Sequence, residues 1–168
     1  MNRILIFRGG AVGDFVVTIP VLTALRRQWP QARITLVSYP RVKRLALETG
    51  LADEFRSLDA PEMAKLFLEK IDRGYGGFHG DPERESSARN PDGILSYLDD
   101  FDLVLSCLHD PDGRVCANLE QFGARRVVSA TPLPPPGRHV VDHLLSPLTD
   151  LGIPAGGGEA PGLKIGLH

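Results

Sequence analysis

Residues 3–29, RILIFRGGAVGDFVVTIPVLTALRRQW, decide how this chain folds. Residues 3–7 are nearly all apolar and rich in branched side chains, the composition of a strand covered on both faces of a parallel sheet. Gly9, Gly10 and Gly13 follow, where the missing β-carbon lets the backbone turn sharply and approach another molecule. Phe15, Ile19, Leu22, Leu25 and Trp29 then recur at helical spacing and give an amphipathic helix one apolar stripe. Strand, glycine turn and helix in this order open a Rossmann-like α/β fold, an open parallel sheet flanked by helices.

One ionisable group, Asp14, stands where strand becomes helix. Ligands of open α/β sheets bind beyond the carboxyl ends of the strands, and the free amides and dipole of a helix start hold an anion there. That anion is either a ligand phosphate or the Asp14 carboxylate itself, and Asp is also a preferred helix cap with no further role. The turn alone leaves these readings open. It is not a nicotinamide fingerprint: GGxxG differs from GxGxxG, and Ser38-Tyr39-Pro40 offers no acid to a ribose. Without Gly-Lys-Ser/Thr it is not a P-loop either.

Further along, residues 34–38 form a second strand, 41–49 a helix and 54–58 a short third strand. Arg41, Lys43 and Arg44 begin at the carboxyl end of strand two, either as a solvated helix face or as contacts to acidic or phosphorylated sugars. A helix is expected over 61–71, with Met63, Phe67 and Ile71 on one side. Residues 73–93, with Tyr75, Phe78 and His79 among glycines, read as disordered or as a functional loop. A short helix over 92–101 leads into a buried strand at 102–108. His109 and Asp110 then lie on the same rim as Asp14, as acceptor-site candidates or as turn and cap. Asp112 is the expected cap of the helix carrying Val115, Cys116, Leu119 and Phe122. Residues 125–129 make a fifth strand and 139–151 a last helix. Within the first helix, Pro20 should force a kink or a restart with Thr18 as its cap. His139 and His143 are spaced as in an inverted zinc-protease motif, but the motif needs Glu where Asp142 stands and a third ligand elsewhere.

The run ILIFRGGAVGDFVVTIPVLTALRRQWPQARITLV resembles the opening of the heptosyltransferase-like glycosyltransferases, family nine. The similarity rests on Arg8 after the strand, Gly13-Asp14, Thr18-Ile19-Pro20 and Pro30-Gln31-Ala32-Arg33-Ile34. FDLVLSCL, FGARRVV, HVVDHLLSPLTDLGI and KIGLH also fit the family's N-terminal half, while residues 60–95 carry little of it. The resemblance implies a GT-B enzyme whose N-terminal half binds a sugar acceptor and whose C-terminal half binds a nucleotide-sugar donor. Carried over by position, Asp14 is the catalytic general base and Arg8 the basic residue after the first strand, toward the acceptor. Gly9, Gly10 and Gly13, Arg41, Lys43 and Arg44, and His109 and Asp110 join them as acceptor-site candidates by their own places at the carboxyl ends of the strands. It implies inversion without a metal or other cofactor. The co-substrate is a nucleotide-sugar such as ADP-heptose, and the acceptor a lipopolysaccharide-type glycan or glycolipid.

Residues 1–153 are then a Rossmann-like acceptor domain, 154–162 (rich in Gly and Pro) a linker, and 163–168 the first strand of a donor domain that the chain does not continue. A length of 168 residues suits one domain with a single core. A net charge of −2 gives no pull toward nucleic acid. Cys107 and Cys116 supply neither a disulfide framework nor a metal set. The start has no secretory apolar region, and residues 16–25 are too short and interrupted to span a bilayer. A cytoplasmic monomer, touching the inner membrane only peripherally, is the expectation. The competing reading is a non-catalytic α/β module that holds a nucleotide or phosphate in the glycine turn.

Overall fold

The computed structural model describes residues 1–69 and 93–154. Five parallel strands form one sheet: β1 (Arg3–Arg8), β2 (Arg33–Ser38), β3 (Glu54–Ser57), β4 (Leu103–Cys107) and β5 (Val127–Ser129). Their order is β3-β2-β1-β4-β5. The chain builds outward from β1 to β3, then crosses to the other side of β1 for β4. The carboxyl ends of β1 and β4 therefore flank the topological switch point, where open α/β sheets bind ligands.

Alternation along the strands feeds two apolar layers. Ile4, Ile6, Leu103 and Leu105 face one side, against Leu22 and Leu25 of helix α2 (Ile19–Gln28) and Leu144 of α5 (Val140–Leu145). Leu5, Phe7 and Val104 face the other, against Val115 and Leu119 of α4 (Arg114–Gln121) and against Met63, Leu66 and Leu98. Burial on both faces explains the continuous apolar runs in β1 and β4.

The helices differ from the sequence expectation wherever proline or a short apolar period intervenes. The first helix is split into α1 (Val12–Val16) and α2, with Thr18 between them and Pro20 in the first turn of α2. Thr18 does not cap forward: its buried hydroxyl donates back to the Asp14 carbonyl at 2.8 Å. Trp29 is only half-buried, at the edge of the stripe. The helix expected over 41–49 is a 3-10 turn, Pro40–Val42, followed by α3 (Lys43–Glu48).

Residues Pro61–Phe67 and Gly93–Asp100 are 3-10 helices, a form that aligns side chains three apart such as Met63 and Leu66. The last helix stops at Leu145 and continues as the 3-10 segment Ser146–Leu151, because Pro147 has no N–H for an α-helical bond. Strand β5 is three residues long rather than five. The expected loop with Tyr75, Phe78 and His79, the linker beyond Pro154 and the final strand lie outside the described residues. Among the described residues, no helix is long and apolar enough to cross a membrane.

Candidate functional site

Two residues of the opening stretch meet at the switch point. Arg8 ends β1, and its side chain turns under α1 with only 2% of its surface exposed. Its Nε donates to the Asp14 carbonyl at 3.0 Å, one terminal nitrogen to the Cys107 carbonyl at 3.1 Å, and the other to Asp14 Oδ1 at 3.4 Å. The Asp14 side chain is 48% exposed, so its carboxylate sits on the crevice wall while its partner lies beneath. The Arg8 carbonyl in turn accepts from the Ser38 hydroxyl at 2.7 Å, which ties the end of β2 to the same spot.

The glycine turn supports this carboxylate. Asp14 is the third residue of α1, and its Oδ2 accepts the Ala11 N–H at 2.7 Å. Gly10 has φ +90°, and a β-carbon there would lie 2.7 Å from Asp14 Cγ. Only glycine both adopts that backbone and leaves room for the acid. Gly9 has less at stake, with Leu108 3.3 Å from a β-carbon site, and Gly13 faces open space inside α1. Val12 and Val16, four apart on one face of α1, are exposed beside Asp14.

Across the crevice, the expected cap of α4 is corrected. Asp110, not Asp112, takes the first amides of α4: its two oxygens accept Val115 and Cys116 N–H, each at 3.0 Å. Both oxygens of Asp110 are thereby spent inside the protein. Asp112 instead pairs with Arg114 at 3.8 Å on the surface. His109 is exposed on this loop, two residues past the carbonyl that Arg8 holds. Neither thiol is a ready nucleophile. Burial pushes Cys107 up to about 12 despite the opposing charge of Arg8. Burial likewise pushes Cys116 up to about 11, with Ser129 opposing the rise and Asp110 adding to it.

The basic cluster after β2 is divided. Arg41 stacks over the Tyr39 ring at 5.4 Å, on the turn that packs against α1. Lys43 is exposed beside it, whereas Arg44 pairs with Glu48 at 2.8 Å on the outer surface of α3. The structure thus brings together Arg8, Gly10 and Asp14 in direct contact. It places Arg41 and His109 on the rim on either side of β1, after β2 and β4, and turns Arg44 to an ion pair. On α5, His139 Nδ1 accepts the Val141 N–H at 3.3 Å as a helix cap, while the ring nitrogens of His143 are buried. Among the described residues, no group of three His, Cys, Asp or Glu could hold a metal. The reading of the sequence did not identify the Cys107 carbonyl or Ser38 as site elements. Their signal is strand register, which sets both residues opposite Arg8.

A sheet in the order 3-2-1-4-5, with an acid on the turn after its central strand, can be compared with solved structures. The glycosyl transferase family 9 protein from Veillonella parvula DSM 2008 is 17% identical over 95% of this chain and 44% of its own, with a TM-score of 0.58. The fold is that of these glycosyltransferases. The E. coli heptosyltransferase WaaC, solved with ADP-2-deoxy-2-fluoro heptose, is 12% identical over 94% of this chain and 51% of its own, with a TM-score of 0.59. The chain therefore spans about half the length of the two transferases whose fold it shares. No protein-family model and no curated protein sequence matches it.

Proposed function

We propose that this chain is the acceptor-binding half of an inverting, metal-independent glycosyltransferase. It would act on a nucleotide-sugar such as ADP-heptose and a lipopolysaccharide-type or other glycan acceptor. One observation carries the reading: on a glycosyltransferase fold, the turn at the switch point presents a half-exposed carboxylate held in place from below. In the reaction, the acceptor hydroxyl oxygen bonds to the anomeric carbon as the bond to the nucleoside diphosphate breaks. The Asp14 carboxylate takes the hydroxyl proton. The donor would be held by a domain outside the present chain, in keeping with its span of about half of each transferase. Arg41, Lys43 and His109 are the exposed rim groups best placed to orient an acceptor. It would work in the cytoplasm, with peripheral contact at the cytoplasmic face of the inner membrane.

The phosphate-module reading fares less well on physical grounds. The amide at the start of α1 that would greet a phosphate is already taken by Asp14, and a second negative charge there would be repelled. The test is sugar transfer by the protein of the complete gene across a panel of nucleotide-sugars, wild type against Asp14→Asn. Removing a general base should lower kcat by about 10²–10⁴ with KM little changed. Retention of most activity would remove Asp14 from the mechanism. No transfer from any donor, with nucleotide or phosphate bound by the present chain, would establish the module instead.

A further inference from the structure

We propose that Arg8 is a positioning residue, a buried strut that holds the Asp14 carboxylate in register with the loop after β4 and does not touch the ligand. Its kinetic consequence rests on the transferase reading above; its structural content does not. Position 8 continues the face of β1 that carries Ile4 and Ile6, where an apolar side chain would complete the core. A buried guanidinium at such a place is costly unless its donors are satisfied. Here they are spent on two elements, one of them 99 residues from Arg8 in sequence: the Cys107 carbonyl on β4, and the carbonyl and carboxylate of Asp14 on α1. The three acceptors surround a planar fork, which the single nitrogen of a lysine does not reproduce.

The other oxygen of Asp14 is fixed by Ala11 N–H, in the space that Gly10 leaves. The carboxylate is therefore clamped from two sides while it remains half-exposed. Beyond Cys107 the chain is fixed again within three residues, where Asp110 holds the start of α4. Arg8 thus joins the two walls of the crevice from underneath, and His109 rides on the wall that it holds. A residue so placed acts on the reaction only through the groups it orients.

Arg8→Lys and Arg8→Met test this in two ways. In the protein of the complete gene, both variants should lower kcat by about 10- to 100-fold, the scale of a misplaced reacting group, with both KM values unchanged. A rise in acceptor KM alone would put Arg8 on the ligand and overturn the proposal. Independently of any activity, amide NMR spectra of the present chain should show the signals of Ala11 and His109 shifting together in Arg8→Lys. Those of Ile34 and Asp53, at the amino-terminal ends of β2 and β3, should hold still. An unmoved Ala11 amide would refute the strut. If the wild type transfers no sugar, the transferase reading falls and the spectra alone decide the role of Arg8.

Discussion

Replacing Gly10 with alanine isolates the packing that supports Asp14. The backbone there has φ +90°, and a methyl group would come within 2.9 Å of Asp14 Cβ and 2.7 Å of its Cγ. Left-handed backbone costs an ordinary residue about 1–2 kcal/mol. The displaced carboxylate also gives up its bond from Ala11 N–H, worth about 1 kcal/mol as a helix-start interaction. The sum is about 2–3 kcal/mol, or a fall in Tm of about 4–12 °C for a domain of this size. Gly13→Ala, three residues on and inside α1, meets nothing within 4 Å and should be neutral or stabilising, by up to about 1 kcal/mol.

Urea unfolding of both variants, followed by circular dichroism, measures the difference. A double-mutant cycle separates the two parts of the Gly10 effect. With Asp14→Ala already present, Gly10→Ala should cost less, the backbone term and the contact with the remaining β-carbon of residue 14, because the clash with the carboxylate and the lost bond are both gone. The reasoning is wrong if Gly10→Ala lies within about 0.5 kcal/mol of wild type, the ordinary range for a surface change. Equal losses for Gly10→Ala and Gly13→Ala would refute it as well.

Three further outcomes follow from the same structure. Asp110→Ala should destabilise by about 1–2 kcal/mol by freeing two amides of α4, and Asp112→Ala by less than about 0.5; denaturant curves in the reverse order would return the cap to Asp112. Asn118 is buried, and its side-chain amide donates to the Leu66 and Leu68 carbonyls at 2.9 and 3.0 Å, so Asn118→Ala should cost about 2–4 kcal/mol, and a loss under about 1 would show that water replaces it. Amide bonds from Asn2 and then Arg3 hold Asp102 below its ordinary value near 3.9, so its stabilising effect is complete above that pH and is lost as the pH falls through the lower folded value. Tm should therefore drop more steeply below about pH 4 in wild type than in Asp102→Asn, and parallel curves would refute the assignment.

How much could be read from the chain depended on the range of the interaction. The stripe Phe15, Ile19, Leu22 and Leu25 and the strand runs at β1 and β4 were legible because burial follows a short period that composition displays directly. The break at Pro20 was legible for the same local reason. The restart after Leu145 was not, because the apolar stripe runs on through Leu148 and Leu151 and masks the lost N–H of Pro147. Asp112 looked like the cap of α4 by spacing alone. The left-handed backbone of Gly113, at φ +68°, and the loop before it bring Asp110 to those amides instead.

The sequence by itself determined that the chain is α/β, that a glycine turn joins its first strand to a helix, and that Asp14 is the one ionisable group on that turn. These are properties of neighbouring residues, set by hydrophobic period, glycine freedom and helix-start chemistry. Only the tertiary structure decided that Arg8 is buried beneath Asp14 rather than exposed beside it, and that Gly10, not Gly13, is the glycine that leaves room for the Asp14 carboxylate. It also turned Arg44 away to Glu48 while Arg41 stayed on the rim. The place of Arg8 depends on which strand lies beside β1, and parallel neighbours far apart in sequence are chosen by the packing of the whole sheet. The other two are settled within a few residues of chain, by backbone conformations and side-chain directions that composition and period do not display.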